Sequence, residues 1–584
     1  MFTAPTKDML FNIEHLSGWA DIVKLPAYQG LEIEDAGAIL EEYAKFCSDV
    51  IAPLNVPGDL AGSRLENGKV VVPEGFTKAY KEFTEMGWQS LQHPEEFGGQ
   101  NLPRPIGAAT FEMLNAANLS FSLCPLLTDG ALEALLTAGS DAQKQLYVPN
   151  MVSGKWSGTM NLTEPQAGSD LSAIKSKAVP QADGTYKVSG TKIFITYGDH
   201  EMAENIVHLV LARTPDAPAG VKGISLFVVP KYMVNEDGSL GTRNDVECVS
   251  LEHKLGIHGS PTAVLEFTDA TGYLVGEENF GLSYMFEMMN AARFAVGLQG
   301  VGISERSYQK ALAFAHERVQ SAPVDRSSAS GVTIVNHPDV RRMLSRMQVI
   351  TQGGRALAAY AAGWQELARD ATDPQSKAIS EFLTPLVKGF CTEMSIDVTS
   401  TGVQVHGGMG FIEETGAAQY YRDARILPIY EGTTAIQAND LLGRKTLRDG
   451  GATALKMAEM IKETEAQLAA GSATARAVGA RLAQARAAYE QVVSYVLETG
   501  KENPNAAYGG AVPYLMLSGN LVAGWLLARS LLVAEDAVQR GEDVEFMQGK
   551  IAAAHFYAEH VLCETEAQKE RVLGGSDSLL AMKL

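Results

Sequence analysis

Glu431 stands at the end of a run of apolar residues. The stretch ILPIY (Ile426–Tyr430) leads into it, and Gly432, Thr433 and Thr434 follow. A carboxylate placed there, beside a glycine that lets backbone come close to a ligand, suits a general base whose pKa is raised by burial. By residue type alone, a solvated loop acid fits as well. Three further stretches carry residue types that could hold an acceptor-rich ligand. NLTEPQAGSD (Asn161–Asp170) offers short hydroxyls and turn backbone that can point N–H groups at a ligand, and an ordinary interdomain turn is an equal reading. KIFITYG (Lys192–Gly198) is a strand ending in a glycine turn. Phe194 alone reads as core there. QVHGGMG (Gln404–Gly410) is glycine-rich after a helical pattern, either a helix C-terminus or a place for backbone to approach a phosphate.

Other chemistries find no support. HGGMGFIEE has closely spaced glycines without the third in the register of a dinucleotide fingerprint, and neither GxxxxGK[ST] nor HExxH occurs. The five cysteines are far apart and form no CxxC pair, so neither a disulfide framework nor a zinc site is indicated.

The elements that must position these residues fall into blocks. Residues 31–156 read as helical, from LEIEDAGAILEEYAKFCSDVIAPL through PEGFTKAYKEFTEMGW to GAATFEMLNAANLSFSL. TYKVSGTKIFITYG, NIVHLVLART, GISLFVVP and TAVLEFTDA are short, β-branched and bounded by turn residues, so they read as strands. From about residue 277 helices return, interrupted by the small-residue loop VQSAPVDRSSASGVTIVNHP, and resume from Asp339 to about Gly443. A last helical unit follows. This segregated order predicts an α+β multidomain chain and argues against a doubly wound parallel sheet.

The chain has 584 residues, 46% hydrophobic and 20% charged, with a formal net charge of −21. That acidity disfavours nucleic acid and anionic membranes as partners. The N-terminal MFTAPTKDMLFNIEHLSGW has neither a basic n-region nor an apolar h-region, and cytoplasmic localisation is expected. No run of about 18 uninterrupted apolar residues occurs, so no membrane span is expected. The strongly apolar Tyr514–Val538, broken by Asn520 and Arg529, reads as a buried bundle helix.

Taken in order, the motifs resemble the flavin-dependent acyl-CoA dehydrogenases. The matching residues are TEPQAGSD, KIFIT, Arg293 in NAARFAVGLQGVG, Arg318 in HER, VQVHGGMGF, YRDARI and IYEGTTAIQ, over about residues 40–445. The resemblance implies the family fold: an N-terminal arm and helical domain (1–157), a central β-barrel (158–276) and a four-helix bundle with the catalytic loop (277–447). Residues 448–584 form an extra C-terminal helical domain. Typical members stop soon after the catalytic loop. The arm, the extended loop at 318–336 and the helical tail look most like the methylmercaptopropionyl-CoA dehydrogenase branch of the family. Large bacterial members of broad specificity share this shape, and the very-long-chain members carry a tail that serves the membrane.

The resemblance implies FAD as cofactor and α,β-dehydrogenation of an acyl-CoA thioester to the trans-2-enoyl-CoA. In that reading the carboxylate of Glu431 takes the α-proton, while its N–H and a ribityl hydroxyl polarise the thioester oxygen. Leu162 and Thr163 meet the flavin pyrimidine. Phe194 and Ile195 flank the isoalloxazine, with Thr196 near N5. Ser169 reaches the pyrophosphate or the thioester chain. Arg318, Gln404, Gly407 and Gly408 hold FAD bound mainly by a neighbouring subunit, and Thr433 also touches FAD. Tyr430 and Gly432 lie beside the substrate. Arg293 and Asn290 face CoA, with Asn290 replacing an acidic residue common in shorter members. The implied partners are an electron-transfer flavoprotein and a second copy of the chain, a dimer being favoured. An acyl-CoA oxidase shares these motifs. Some relatives of the fold bind DNA through a basic C-terminal unit, but from Gly451 onward 12 Lys and Arg stand against 16 Asp and Glu.

Overall fold

A computed structural model describes residues 2–369 and 373–584. Residues 370–372, within the stretch read as helical after Asp339, lie outside the described residues. The chain divides into two compact units. One comprises Met1–Lys45, Pro103–Ala116 and Arg293–Leu584; the other comprises Phe46–Leu102 and Ala117–Ala292.

The second unit holds the β-structure. Its strands run in the order Trp156–Asn161, Asn205–Ala212, Ser225–Pro230, Thr262–Val275, Tyr186–Thr196, Lys177–Pro180, with Val246–Leu251 also paired to Thr262–Val275. Trp156–Asn161 is parallel to Asn205–Ala212, and the other pairings are antiparallel. The long strand Thr262–Val275 makes the sheet wrap. Its first part pairs with Tyr186–Thr196, while Tyr273–Val275 pair with Ser225–Pro230. Val188, Ile195, Phe227, Val229, Leu265 and Phe267 from these strands share one core. A helical cap completes the unit. Helix Phe76–Glu85 buries Phe76, Ala79, Tyr80 and Phe83, one stripe at helical spacing. Phe76 and Phe83 meet Phe121 of helix Leu119–Ala138 edge-on.

The stretch read as wholly helical contains an exception. Arg64–Glu66 and Lys69–Val71 form a hairpin through Asn67 and Gly68, both at positive φ. Asn-Gly is the residue pair that a tight two-residue hairpin turn favours. Strands Trp156–Asn161, Lys177–Pro180 and Val246–Leu251 likewise lie outside the stretches read as strands.

The first unit is helical. Gly281–Glu317 enters it at Arg293, and Pro338–Arg369, Pro374–Pro385 and Cys391–His406 follow. The tail adds Ala452–Ala470, Ala473–Glu502, Ala511–Arg540, Val544–His560 and Glu564–Gly574. Their buried faces join the bundle's in one core. Ala511–Arg540, like Leu119–Ala138 in the other unit, is long and apolar enough to cross a membrane, yet most of each helix is buried inside its unit. Trp525 finds Thr464 Oγ1 at 2.8 Å for its indole N–H. A buried charge cluster ties the N-terminal helix Thr6–Leu16 to the bundle and the tail. Arg355 donates to Asp8 (2.6 Å), Glu112 (2.8 Å) and Glu305 (2.7 Å), and Lys550 donates to Asp8 (2.6 Å).

Candidate active site

Glu431 lies in the first unit, in the irregular segment between helices Ala417–Ala424 and Thr434–Leu442. The segment turns tightly: Tyr430 N donates to Ile426 O (3.1 Å) and Thr434 N to Pro428 O (3.0 Å). Glu431 has φ +55 and Gly432 φ +86. A glutamate in the left-handed region costs about 1 kcal/mol or more, so the surroundings must impose it. Gln437 Nε2 donates to the Glu431 carbonyl at 3.3 Å. Lys388 Nζ donates to the carbonyls of Leu427 (3.0 Å) and Gly432 (2.6 Å). At φ +86 a side chain at position 432 would be strained whatever the space around it, so the turn calls for glycine there.

The electrostatics follow from position. Glu431 is half-buried, and burial lifts its carboxyl to about 7 against the opposing pull of Arg293 and Lys388. A carboxylate poised there is ionised half the time near neutral pH and is a far better proton acceptor than one titrating near the ordinary 4.3. Arg293 is buried and has Asp440, Glu431 and Arg444 as charged neighbours. Tyr430, beside the carboxylate, donates its hydroxyl to Gln299 Oε1 in a short bond. Thr433 caps the following helix through Ile436 N (3.4 Å), and Thr434 Oγ1 donates to Glu393 at 2.5 Å.

Arg318, Gln404, Gly407 and Gly408 sit together at one end of the bundle. The helices carrying them end side by side, where Phe314 stacks on His406 at 4.5 Å. Arg318, Gln404 and both glycines are exposed, and the space around the two glycines is open.

The other sequence-derived positions belong to the second unit. Leu162, Thr163 and Ser169 lie on the loop after strand Trp156–Asn161, and Phe194, Ile195 and Thr196 end strand Tyr186–Thr196. Thr163 O accepts from Ile193 N at 2.9 Å, joining the two segments. Ile195 is core, Ser169 and Asn290 are exposed, and Phe194 is 58% exposed at φ +60. A strained aromatic turned outward is poor packing by itself, and it fits a flat ring system that stacks on it. This is the feature that suits an isoalloxazine.

Two residues that the motifs did not single out fix this loop. Glu164 and Lys192 form a buried pair at 2.8 Å, and Lys192 Nζ also donates to Leu162 O at 3.0 Å. Glu164 accepts further from Lys175 N (2.7 Å), Ser176 N (3.1 Å) and Gln166 Nε2 (2.6 Å). Lys388 in the other unit is the third residue missed. No group of three or more His, Cys, Asp or Glu able to hold a metal occurs among the described residues.

With fold and geometry in place, comparison with known proteins gives the class. Family models described as the N-terminal, middle and C-terminal domains of acyl-CoA dehydrogenase match residues 33–155, 159–270 and 279–446. A fourth, acetyl-CoA dehydrogenase C-terminal like, matches 457–583. The chain belongs to the acyl-CoA dehydrogenase family, whose members are FAD-dependent oxidoreductases. It is 58% identical to 3-methylmercaptopropionyl-CoA dehydrogenase of Ruegeria pomeroyi over 100% of both chains. It is 34% identical to the broad-specificity linear acyl-CoA dehydrogenase FadE5 of Mycobacterium tuberculosis, over 96% of this chain and 95% of that one. The structure of a Bacillus anthracis acyl-CoA dehydrogenase complexed with FAD superposes with a TM-score of 0.75 at 23% identity, over 94% of this chain and 90% of that one.

Proposed function

We propose that this chain dehydrogenates 3-methylmercaptopropionyl-CoA to methylthioacryloyl-CoA, with Glu431 as the base. The observation that carries the mechanism is the half-buried carboxylate of Glu431, poised near 7 on a strained, clamped turn. The 58% identity along the whole chain supports the acyl group. In the reaction a Cα–H bond breaks and its proton goes to Glu431. A Cβ–H bond breaks with its electron pair, and the Cα=Cβ bond forms. FAD, when bound, supplies the acceptor for the hydride leaving Cβ. Leu162, Thr163, Phe194, Ile195 and Thr196 would hold the flavin, and the exposed Phe194 ring supports that assignment. The open glycines Gly407 and Gly408, with Arg318 and Gln404, would meet the FAD of a second copy, and a homodimer is the proposed assembly. The Thr433 hydroxyl accepts from Ile436 N and keeps its own proton to donate, so it remains among the proposed FAD contacts. An electron-transfer flavoprotein is the proposed acceptor and the cytoplasm the proposed compartment.

A second reading is a broad-specificity fatty acyl-CoA dehydrogenase, favoured by the 34% identity to such an enzyme over nearly the full chain. An acyl-CoA panel with a dye acceptor, from short to long chains and including 3-methylmercaptopropionyl-CoA, separates the two. The proposal expects kcat/KM for the methylthio substrate to exceed that for any straight-chain thioester by tenfold or more. A flat profile would favour the second reading. Anaerobic turnover with an electron-transfer flavoprotein distinguishes a dehydrogenase from an oxidase.

A further inference from the structure

Helices Pro374–Pro385 and Cys391–His406 are joined by one π-helical turn, Leu386–Phe390. Such turns bulge a helix locally and are frequent at functional sites. Lys388 lies on this turn and is 0% exposed. A buried ammonium is costly unless its protons are satisfied. Here they reach Leu427 O and Gly432 O, two carbonyls that bracket Glu431, one before it in the loop and one directly after.

The turn has little freedom to move. A Cβ on Gly389 would lie 2.5 Å from Leu515, and a Cβ on Gly519 would lie 2.3 Å from the Phe390 ring. Helix Ala511–Arg540 of the tail therefore backs the turn at close contact. The charged groups facing Lys388 are Glu431, Arg293 and Glu393. Those facing Glu431 are Arg293 and Lys388, and Arg293 also faces Asp440 and Arg444.

We propose that Lys388 is the positioning residue of the dehydrogenation: it ties the two ends of the Glu431 loop and, in its protonated form, favours the ionised form of that carboxylate. The inference rests on the assignment of Glu431 as base. Burial raises the Glu431 carboxyl, and Arg293 and Lys388 hold the rise in check. Burial likewise brings the Lys388 ammonium down to about 7 although Glu431 pulls the other way, so its charge acts on Glu431 over the acid and neutral part of the range, where the rising limb lies. Without the Lys388 charge the carboxyl titrates higher. A base works only in its ionised form, so the rising limb of the rate must move to higher pH.

The test is Lys388→Met in the FAD-loaded, full-length enzyme. Flavin bleaching is followed by anaerobic rapid mixing between pH 5.5 and 9.5, with 3-methylmercaptopropionyl-CoA and with butyryl-CoA. The limiting rate should fall by roughly tenfold and its pH midpoint should rise by about one unit, while substrate affinity changes by less than about threefold. A merely structural role would leave the midpoint where it is. A folded, FAD-loaded variant with wild-type rate and midpoint on both substrates overturns the proposal. If Lys388→Met fails to fold or to hold FAD, the double variant Lys388→Met/Glu431→Gln decides. The Glu431 carboxylate is removed there as well, so any loss that persists in the double variant belongs to the bonds to Leu427 O and Gly432 O, and any loss that recovers belongs to the charge. A double variant that behaves as the strict sum of the two single variants in melting temperature overturns the proposed coupling of Lys388 to Glu431. Glu431→Gln alone is run in parallel, since wild-type bleaching in that variant would defeat the base assignment and not the role of Lys388.

Discussion

The pair Glu164–Lys192 should show strong coupling and little net worth. Burial of Lys192 pushes its ammonium down to about 8 although Glu164 pulls the other way. Lys192 and its backbone partners draw Glu164 down to about 2 against the effect of burial. For Glu164 the folded pKa lies below the unfolded one. Its contribution, about 3 kcal/mol, is present above pH 4.5 and lost as the pH falls toward 2. For Lys192 the folded pKa also lies below the unfolded one, so holding the charge costs the folded state about 3 kcal/mol below pH 8. The two effects oppose each other and share one attraction, so the pair brings little net stability, as expected for an ion pair that is 4% and 0% exposed. Breaking the pair is another matter. Lys192→Met strands a buried carboxylate with only its three N–H donors, and Glu164→Gln leaves a buried ammonium with neutral acceptors alone, Leu162 O and the new amide oxygen. Each should destabilise the second unit by about 3 kcal/mol and release FAD faster, because Leu162 and Thr163 lose their anchor. The double variant should lose at least about 2 kcal/mol less than the sum. The assay is a double-mutant cycle on FAD release after dilution and on thermal unfolding at pH 7. Strictly additive losses would refute the reasoning.

Three further expectations follow from the same structure. Phe194→Gly should relieve about 1 kcal/mol of backbone strain, leaving the apoprotein no less stable, while FAD affinity falls about tenfold; flavin titration and apoprotein melting check both. Arg355→Met removes the centre of a cluster in which burial lifts Glu112 to about 7. The loss should be about 3–5 kcal/mol at pH 8 and smaller at pH 5, where Glu112 is protonated, and equal losses at both pH values would count against the cluster. Glu431→Gln should raise the melting temperature at pH 8. The Glu431 carboxyl is lifted from 4.5 to about 7, so the unfolded state gives up its proton first and stability falls as pH rises through that window. The gain should vanish at pH 4.

Much of this was legible in the sequence, and the parts that were not share a cause. Glu431 stood out because an apolar run and a glycine enclose it, a local pattern. The strands Tyr186–Thr196, Asn205–Ala212 and Ser225–Pro230 showed through β-branched runs and turn residues, again local. Lys388 gave no sign in LTPLVKGF, because its partners lie 39 and 44 residues away. Lys192 alternates with Ile193 in the strand and reads as a solvent-facing charge; only the loop folded over it shows the burial. Two signals were present and passed over. Asn67-Gly68 marked the hairpin, and Thr433 before an apolar helix marked an N-cap.

The central claim is that Glu431 takes the α-proton of 3-methylmercaptopropionyl-CoA, and one measurement addresses it directly. Wild type and Glu431→Gln, both FAD-loaded, are mixed anaerobically with that substrate. Flavin spectral perturbation reports binding, and loss of the oxidised flavin band reports chemistry. The account expects binding to persist in the variant while the bleaching rate falls by roughly 10² or more. Bleaching at near the wild-type rate would contradict it.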